Sequence, residues 1–159
     1  MLNIHIIVLG KLKESYWREA EAEYLKRLTP YAKIKIHELR EESFSEKDKS
    51  EMIKAKEAEK IKNELEKIKA DFIIALDEQG SQFSSEQFAK KINDLTGQSF
   101  KNITFIIGGP LGLDETVLKI AGLKLSFSKM TFTHQMIRVF LLEQIYRGQM
   151  ILNNRKYHY

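Results

Sequence analysis

Ile103-Thr104-Phe105-Ile106-Ile107-Gly108-Gly109-Pro110-Leu111-Gly112 reads as a strand that stops on a glycine turn, and that reading sets the fold. β-Branched and aromatic side chains suit a pleated, buried surface, which the glycines and proline that follow cannot continue. An acidic helix start comes next, at Asp114. A second apolar run, residues 123–127, breaks in the same way into Ser128-Lys129-Met130-Thr131 before a long helical pattern that begins near His134. In open α/β sheets ligands bind outside the carboxyl ends of the strands, so two such ends with small and polar residues mark a pocket.

Upstream, strand and helix keep alternating. Residues 2–9 are mostly apolar and β-branched and end at Gly10. Residues 14–28 then show helical spacing, with Tyr16, Ala20, Tyr24 and Leu28 on one face and Pro30 just beyond. Trp17 falls off that stripe, as a packing or interface residue. Ile34 and Ile36 alternate with Lys33, Lys35 and His37, the pattern of an edge strand guarded by lysines, with His37 toward solvent. Residues 45–70 read as a solvated amphipathic helix, favoured over an RNA-binding arm: between Glu46 and Lys69 eight basic and seven acidic residues flank a thin stripe of Ile61, Leu65 and Ile68. Its N-terminal part, residues 42–49, is expected as a mobile loop. Residues 71–76 form the next strand. Asp77-Glu78-Gln79-Gly80 at its end reads as a turn rather than an acid/base pair, since no partner histidine accompanies it. Ser84 with Gln87 makes a capping box for a helix through Leu95 that Gly97 ends. Five alternating units predict an α/β fold, a single domain over residues 1–159 with a mostly parallel sheet covered by helices on both faces.

Composition narrows the function. With 159 residues, 43% hydrophobic and 30% charged, the chain matches ordinary globular domains. Its apolar run at residues 4–9 is interrupted by His5 and lacks the basic flank and cleavage site of a signal peptide, so a cytoplasmic protein is expected. Without cysteine there is no thiolate chemistry, and His5, His37, His134 and His158 lack paired ligand spacing, so no metal is expected. The basic balance is uneven: Lys124, Lys129, Arg138, Arg147, Arg155 and Lys156 face only Glu143 in the last 36 residues. A basic end that also holds the pocket suits a polyanionic partner, though helix C-terminal cations account for it equally well.

Gly108-Gly109-Pro110-Leu111-Gly112 lacks the lysine and hydroxyl of a phosphate-binding loop and the spacing of a dinucleotide fingerprint, which disfavours a nucleotide oxidoreductase. Two glycines allow close approach to the backbone, and Ser128 and Thr131 supply donors and acceptors, a combination suited to a neutral or cationic nucleoside, although G-G-P-x-G by itself reads first as a plain tight turn. His134 and Arg138, four residues apart, would on their own read as a helix N-terminal histidine and a surface arginine. Glu143 and Arg147 have the spacing of a structural ion pair.

Taken together, I-G-G-P-x-G from Ile107, L-S-F-S-K-M-T-F-x-H-x-M-x-R-V from Leu125, E-x-x-Y-R from Glu143, Tyr157-His158 and the opening I-x-x-x-G-K-L-K from Ile6 resemble the RlmH family. These are the pseudouridine N3-methyltransferases of bacterial 23S ribosomal RNA. The resemblance runs end to end. It implies a SPOUT fold whose C-terminal part threads a trefoil knot around S-adenosylmethionine, and a homodimer, for which the stripe Ile137, Leu141, Leu142 and Ile145 offers a face. It places cofactor contacts at Leu76, at Gly108 and along Phe127, Ser128, Lys129, Met130, Thr131 and Phe132. It assigns chemistry to His134 as proton relay, to Arg138 as a partner of the base anion or a phosphate, and to Tyr157 and His158 as the tail that holds the target nucleotide. Thr133 stands where the family has proline and Tyr159 where it has arginine or lysine. A non-catalytic RNA-binding ribosome assembly factor that keeps a nucleoside pocket is the alternative.

Overall fold

The computed structural model describes residues 1–157. The elements alternate without exception: β1 (Leu2–Leu9), α1 (Ser15–Leu28), β2 (Ala32–Leu39), α2 (Ser50–Ile68), β3 (Phe72–Gln82), α3 (Ser85–Gly97), β4 (Asn102–Ile107), α4 (Glu115–Ile120), β5 (Leu123–Ser126) and α5 (His134–Leu152). All five strands are parallel, in the order β2-β1-β4-β3-β5. Both sheet faces are covered, as an all-parallel sheet requires.

Period-two alternation divides the core. From the central strands, Ile4, Ile6, Ile103, Phe105 and Ile107 enter the larger cluster with Leu28 of α1, Ile92 of α3 and Leu141, Leu142 and Ile145 of α5. Ile7, Leu9 and Ile106 point the other way, against Ala58, Ile61 and Leu65 of α2 and Val117 of α4. The stripe of α5 expected to pair two subunits is therefore largely spent inside its own protomer: Leu141, Leu142 and Ile145 are buried, and Ile137 packs against the same core. Helical periodicity identifies an apolar face without saying which surface covers it.

Four other expectations change. The inner face of α1 carries Tyr24, Leu25 and Leu28, whereas Tyr16 is exposed and leaves the expected stripe, its ring meeting that of the half-buried Trp17. Helix α2 starts at Ser50, just past the segment expected as a loop, but its buried face extends beyond the expected stripe to Ile53 and the carboxylate-bearing Glu57. His37 is not solvent-facing: α2 crosses β2 and brings Glu64 Oε1 to 2.8 Å from its Nδ1, while His5 Nδ1 lies 2.9 Å from its Nε2. Residues 77–80 are not a turn that ends β3. They bulge out of the ladder, with Leu76 and Ser81 both registering on Leu125 of β5.

The bulge needs its glycine. A Cβ on Gly80 would lie 2.6 Å from the Lys124 backbone, closer than any real contact. Replacing Gly80 with alanine is expected to push β5 away from β3 and to lower stability by about 1–3 kcal/mol, measured by urea denaturation.

Candidate functional site

The three strand ends expected to form the pocket do meet. Leu76 is the last β3 residue before the bulge, Ile107 ends β4, and Ser126 ends β5. After β4 the chain makes a β-turn with Pro110 and Leu111 at its corners, closed by the Gly112 N–H donating to the Gly109 carbonyl at 3.0 Å. Gly112 sits at φ +82°, where a side chain would be strained. A Cβ on Gly108 would lie 3.0 Å from the Gly112 carbonyl carbon and 3.1 Å from Leu113, so the glycine is needed for the turn to fold back on itself.

The loop after β5 is held by hydroxyls. Ser126 Oγ donates to the Ser128 carbonyl at 2.9 Å, and Ser128 Oγ accepts from the Met130 N–H at 3.0 Å. Thr131 Oγ1 donates to Glu78 Oε2 at 3.0 Å, which ties this loop to the β3 bulge. Thr133 caps α5, its hydroxyl accepting the Met136 N–H at 3.3 Å. A hydroxyl therefore supplies the cap at the position where proline was expected.

These loops enclose a cavity of about 890 Å³. Leu76, Gly108 and Phe127 line it, with Ser128, Met130, Thr131 and Phe132. Lys129 is outside the lining, although its neighbours on both sides face in. His134, the first residue of α5, stands at the rim. Lys54, Asp77, Glu78 and Glu115 also face the cavity and were not expected there. Asp77 and Glu78 carried a signal, their place at a strand end. Lys54 and Glu115 carried none, because they come from helices whose docking the sequence does not specify. The walls are apolar at Ile107, Leu125 and Ile137, and three carboxylates oppose one lysine. Such a site suits a nucleoside with a cationic group and repels polyphosphate.

Arg138 and Tyr157 lie elsewhere. Arg138 is buried rather than on the surface, paired with Glu21 and Glu38. Tyr157 folds back onto α5: its hydroxyl donates to Glu143 Oε1 at 3.2 Å, and its ring meets Tyr146 at 4.9 Å and the Arg147 guanidinium at 4.9 Å. Burial, then its hydrogen bond with Tyr24 and the Glu143 charge, push the Tyr157 phenol upward, so it stays protonated. Glu143 and Arg147 form the expected ion pair at 2.5 Å. His158 lies outside the described residues.

Fold and site define a class, the SPOUT methyltransferases: the family model described as predicted SPOUT methyltransferase matches residues 2–158. Ribosomal RNA large subunit methyltransferase H of Clostridium beijerinckii is 51% identical over 162 residues, 99% of each chain. The enzyme of that name from Pelotomaculum thermopropionicum is 45% identical over the whole of both chains. This chain belongs to the ribosomal RNA large subunit methyltransferase H family. Solved structures share the fold at low identity. A probable methylase family protein from Haemophilus influenzae superposes with a TM-score of 0.60 at 15% identity, covering 99% of this chain and 71% of the other. A structure from Legionella pneumophila with S-adenosylmethionine bound gives 0.54 at 13%, covering 93% and 66%.

Thr133→Ala is expected to cost about 1 kcal/mol of stability through loss of the α5 cap. Hydrogen exchange should show faster exchange of the Met136 amide.

Proposed function

We propose that the chain methylates N3 of a pseudouridine in 23S ribosomal RNA, with S-adenosylmethionine bound in the cavity at the ends of β3, β4 and β5. One observation carries this reading: seven of the eight cofactor positions expected from the family resemblance line a single cavity. Its excess of carboxylate over lysine supports a ligand bearing a sulfonium and an ammonium group. Apolar walls at Leu76, Ile107 and Phe127 suit an adenine ring, and the loop hydroxyls and exposed backbone supply its polar contacts.

The bound cofactor supplies an activated methyl group. When bound, it would deliver that methyl group to N3 of the target base, whose proton has to leave to a base on the protein. His134 at the rim is the candidate acceptor. The remaining task of the protein is alignment and exclusion of water. A C-terminal knot belongs to the same reading, supported by β5 returning beside β3 and α5 then crossing to pack on both α1 and α3.

A homodimer completes the site. With the α5 stripe buried, its support is a second groove of about 560 Å³ lined by Tyr24, Phe83, Phe88, Phe127, Phe132 and Phe140, which shares Phe127 and Phe132 with the cofactor cavity. In a two-fold assembly the partner's tail can reach this region, where stacking on an extruded base contributes roughly 1–3 kcal/mol and the basic Arg155 and Lys156 meet phosphate. Cytoplasmic location follows from a ribosomal substrate, and no helix among the described residues is long and apolar enough to cross a membrane.

Gly108→Val is expected to abolish S-adenosylmethionine binding in calorimetry by forcing the 108–113 turn apart. A folded variant that binds normally would move the cofactor elsewhere. Truncation before Tyr157 should eliminate methyl transfer to ribosomes, read by mass spectrometry of the RNA, while cofactor binding and the dimer in sedimentation persist. Methylation at the full-length rate would remove the tail from the site. Cofactor binding without any methylated RNA would favour the assembly-factor alternative.

A further inference from the structure

We propose that Arg138 is a positioning residue for the methyl transfer proposed above: with Glu21 and Glu38 it clamps the start of α5 and so sets His134 at the cavity rim. Arg138 is 4% exposed. Its Nε and one terminal nitrogen form a fork on the Glu21 carboxylate, the latter bond 3.0 Å, and the other terminal nitrogen donates to Glu38 at 2.9 Å. Three separate elements, α1, β2 and α5, are thereby joined through one planar cation. The fork fixes orientation as well as distance, which an ammonium cannot do.

Two further observations separate Arg138 from the chemistry. It lines a small pocket with Gly10, Leu12, His134 and Gln135, and is absent from the lining of the cofactor cavity. A phosphate approaching it would meet two carboxylates that already take three of its five N–H donors. Yet His134 is one helical turn away on the same face, so a shift of Arg138 carries His134 with it. The Lys13 N–H, 3.4 Å from Gln135 Oε1, ties the same turn to the loop after β1. Removing one partner of a buried pair leaves the other uncompensated, so the clamp is expected to fail as a unit.

The test compares Arg138→Met, Arg138→Lys, Glu21→Gln and the Arg138→Met/Glu21→Gln pair, with Glu38→Gln as the milder variant that keeps the fork. Methyl transfer to ribosomes, its KM and salt dependence, and the His134 ring signals in NMR are read for each, with the signals assigned through His134→Gln. Expected are a kcat fall of about 10- to 100-fold in each variant lacking the fork, as a displacement of about 1 Å produces. The pair should be no worse than Arg138→Met alone, KM and salt slope should be unchanged, and the His134 signals should move in every variant. A shallower salt slope in Arg138→Met, with Glu21→Gln binding ribosomes as tightly as before or tighter, would make Arg138 a phosphate contact and overturn the proposal. His134 signals that stay in place in folded Glu21→Gln and Glu38→Gln would also overturn it, and this reading holds even where the wild type methylates nothing and the methyl-transfer proposal itself fails.

Discussion

β3 is hydrogen-bonded on both edges, to β4 through residues 72–75 and to β5 from Ile74 onward, and the site depends on that shared strand. Parallel pairing puts the carboxyl ends of all three at the same rim. The glycine turn after β4, the hydroxyl-bonded loop after β5 and the bulge in β3 are then neighbours by necessity. The tie from Thr131 to Glu78 is possible because the bulge displaces residues 77–80 from the ladder toward the opposite loop. Gly80 permits the displacement by letting two backbones pass where any Cβ would collide.

Electrostatics follow the same geometry. The basic balance of the C-terminal third does not enter the cavity, whose lining carries Asp77, Glu78 and Glu115 against Lys54. Its cations are instead divided among structural and surface roles: Arg138 is buried between two carboxylates, Arg147 is paired with Glu143, and Lys129 lies off the lining. A cationic cofactor and a polyanionic substrate require opposite fields, and the chain meets both with an excess of acids at the cavity and its C-terminal cations outside the lining. The Tyr157 phenol, held protonated against Glu143, joins the tail to α5 as a neutral donor.

Reading residue types locally succeeded where the physics is local. The capping box of Ser84 and Gln87 forms as expected, both side chains bonding the opposite backbone N–H. The Glu143–Arg147 pair forms because i and i+4 positions are neighbours on any helix. The edge placement of the lysine-bearing β2 is also observed. Local reading misplaced His37 and Arg138, whose partners Glu64, Glu21 and Glu38 lie on other elements, 27, 117 and 100 positions away.

The alternation of strand and helix, the parallel two-faced sheet and the turn at Gly108 were determined by the sequence alone, because periodicity, β-branching and backbone freedom act within a few residues. The motif set from Ile107 to Tyr157 also carried the family and with it the cofactor loops, which no periodicity implies. Tertiary structure alone decided the strand order, the bulge in β3, the inward turn of the α5 stripe and the acids around the cavity. Each of these depends on which distant surfaces meet, and a helix or strand shows the same apolar face to whatever covers it.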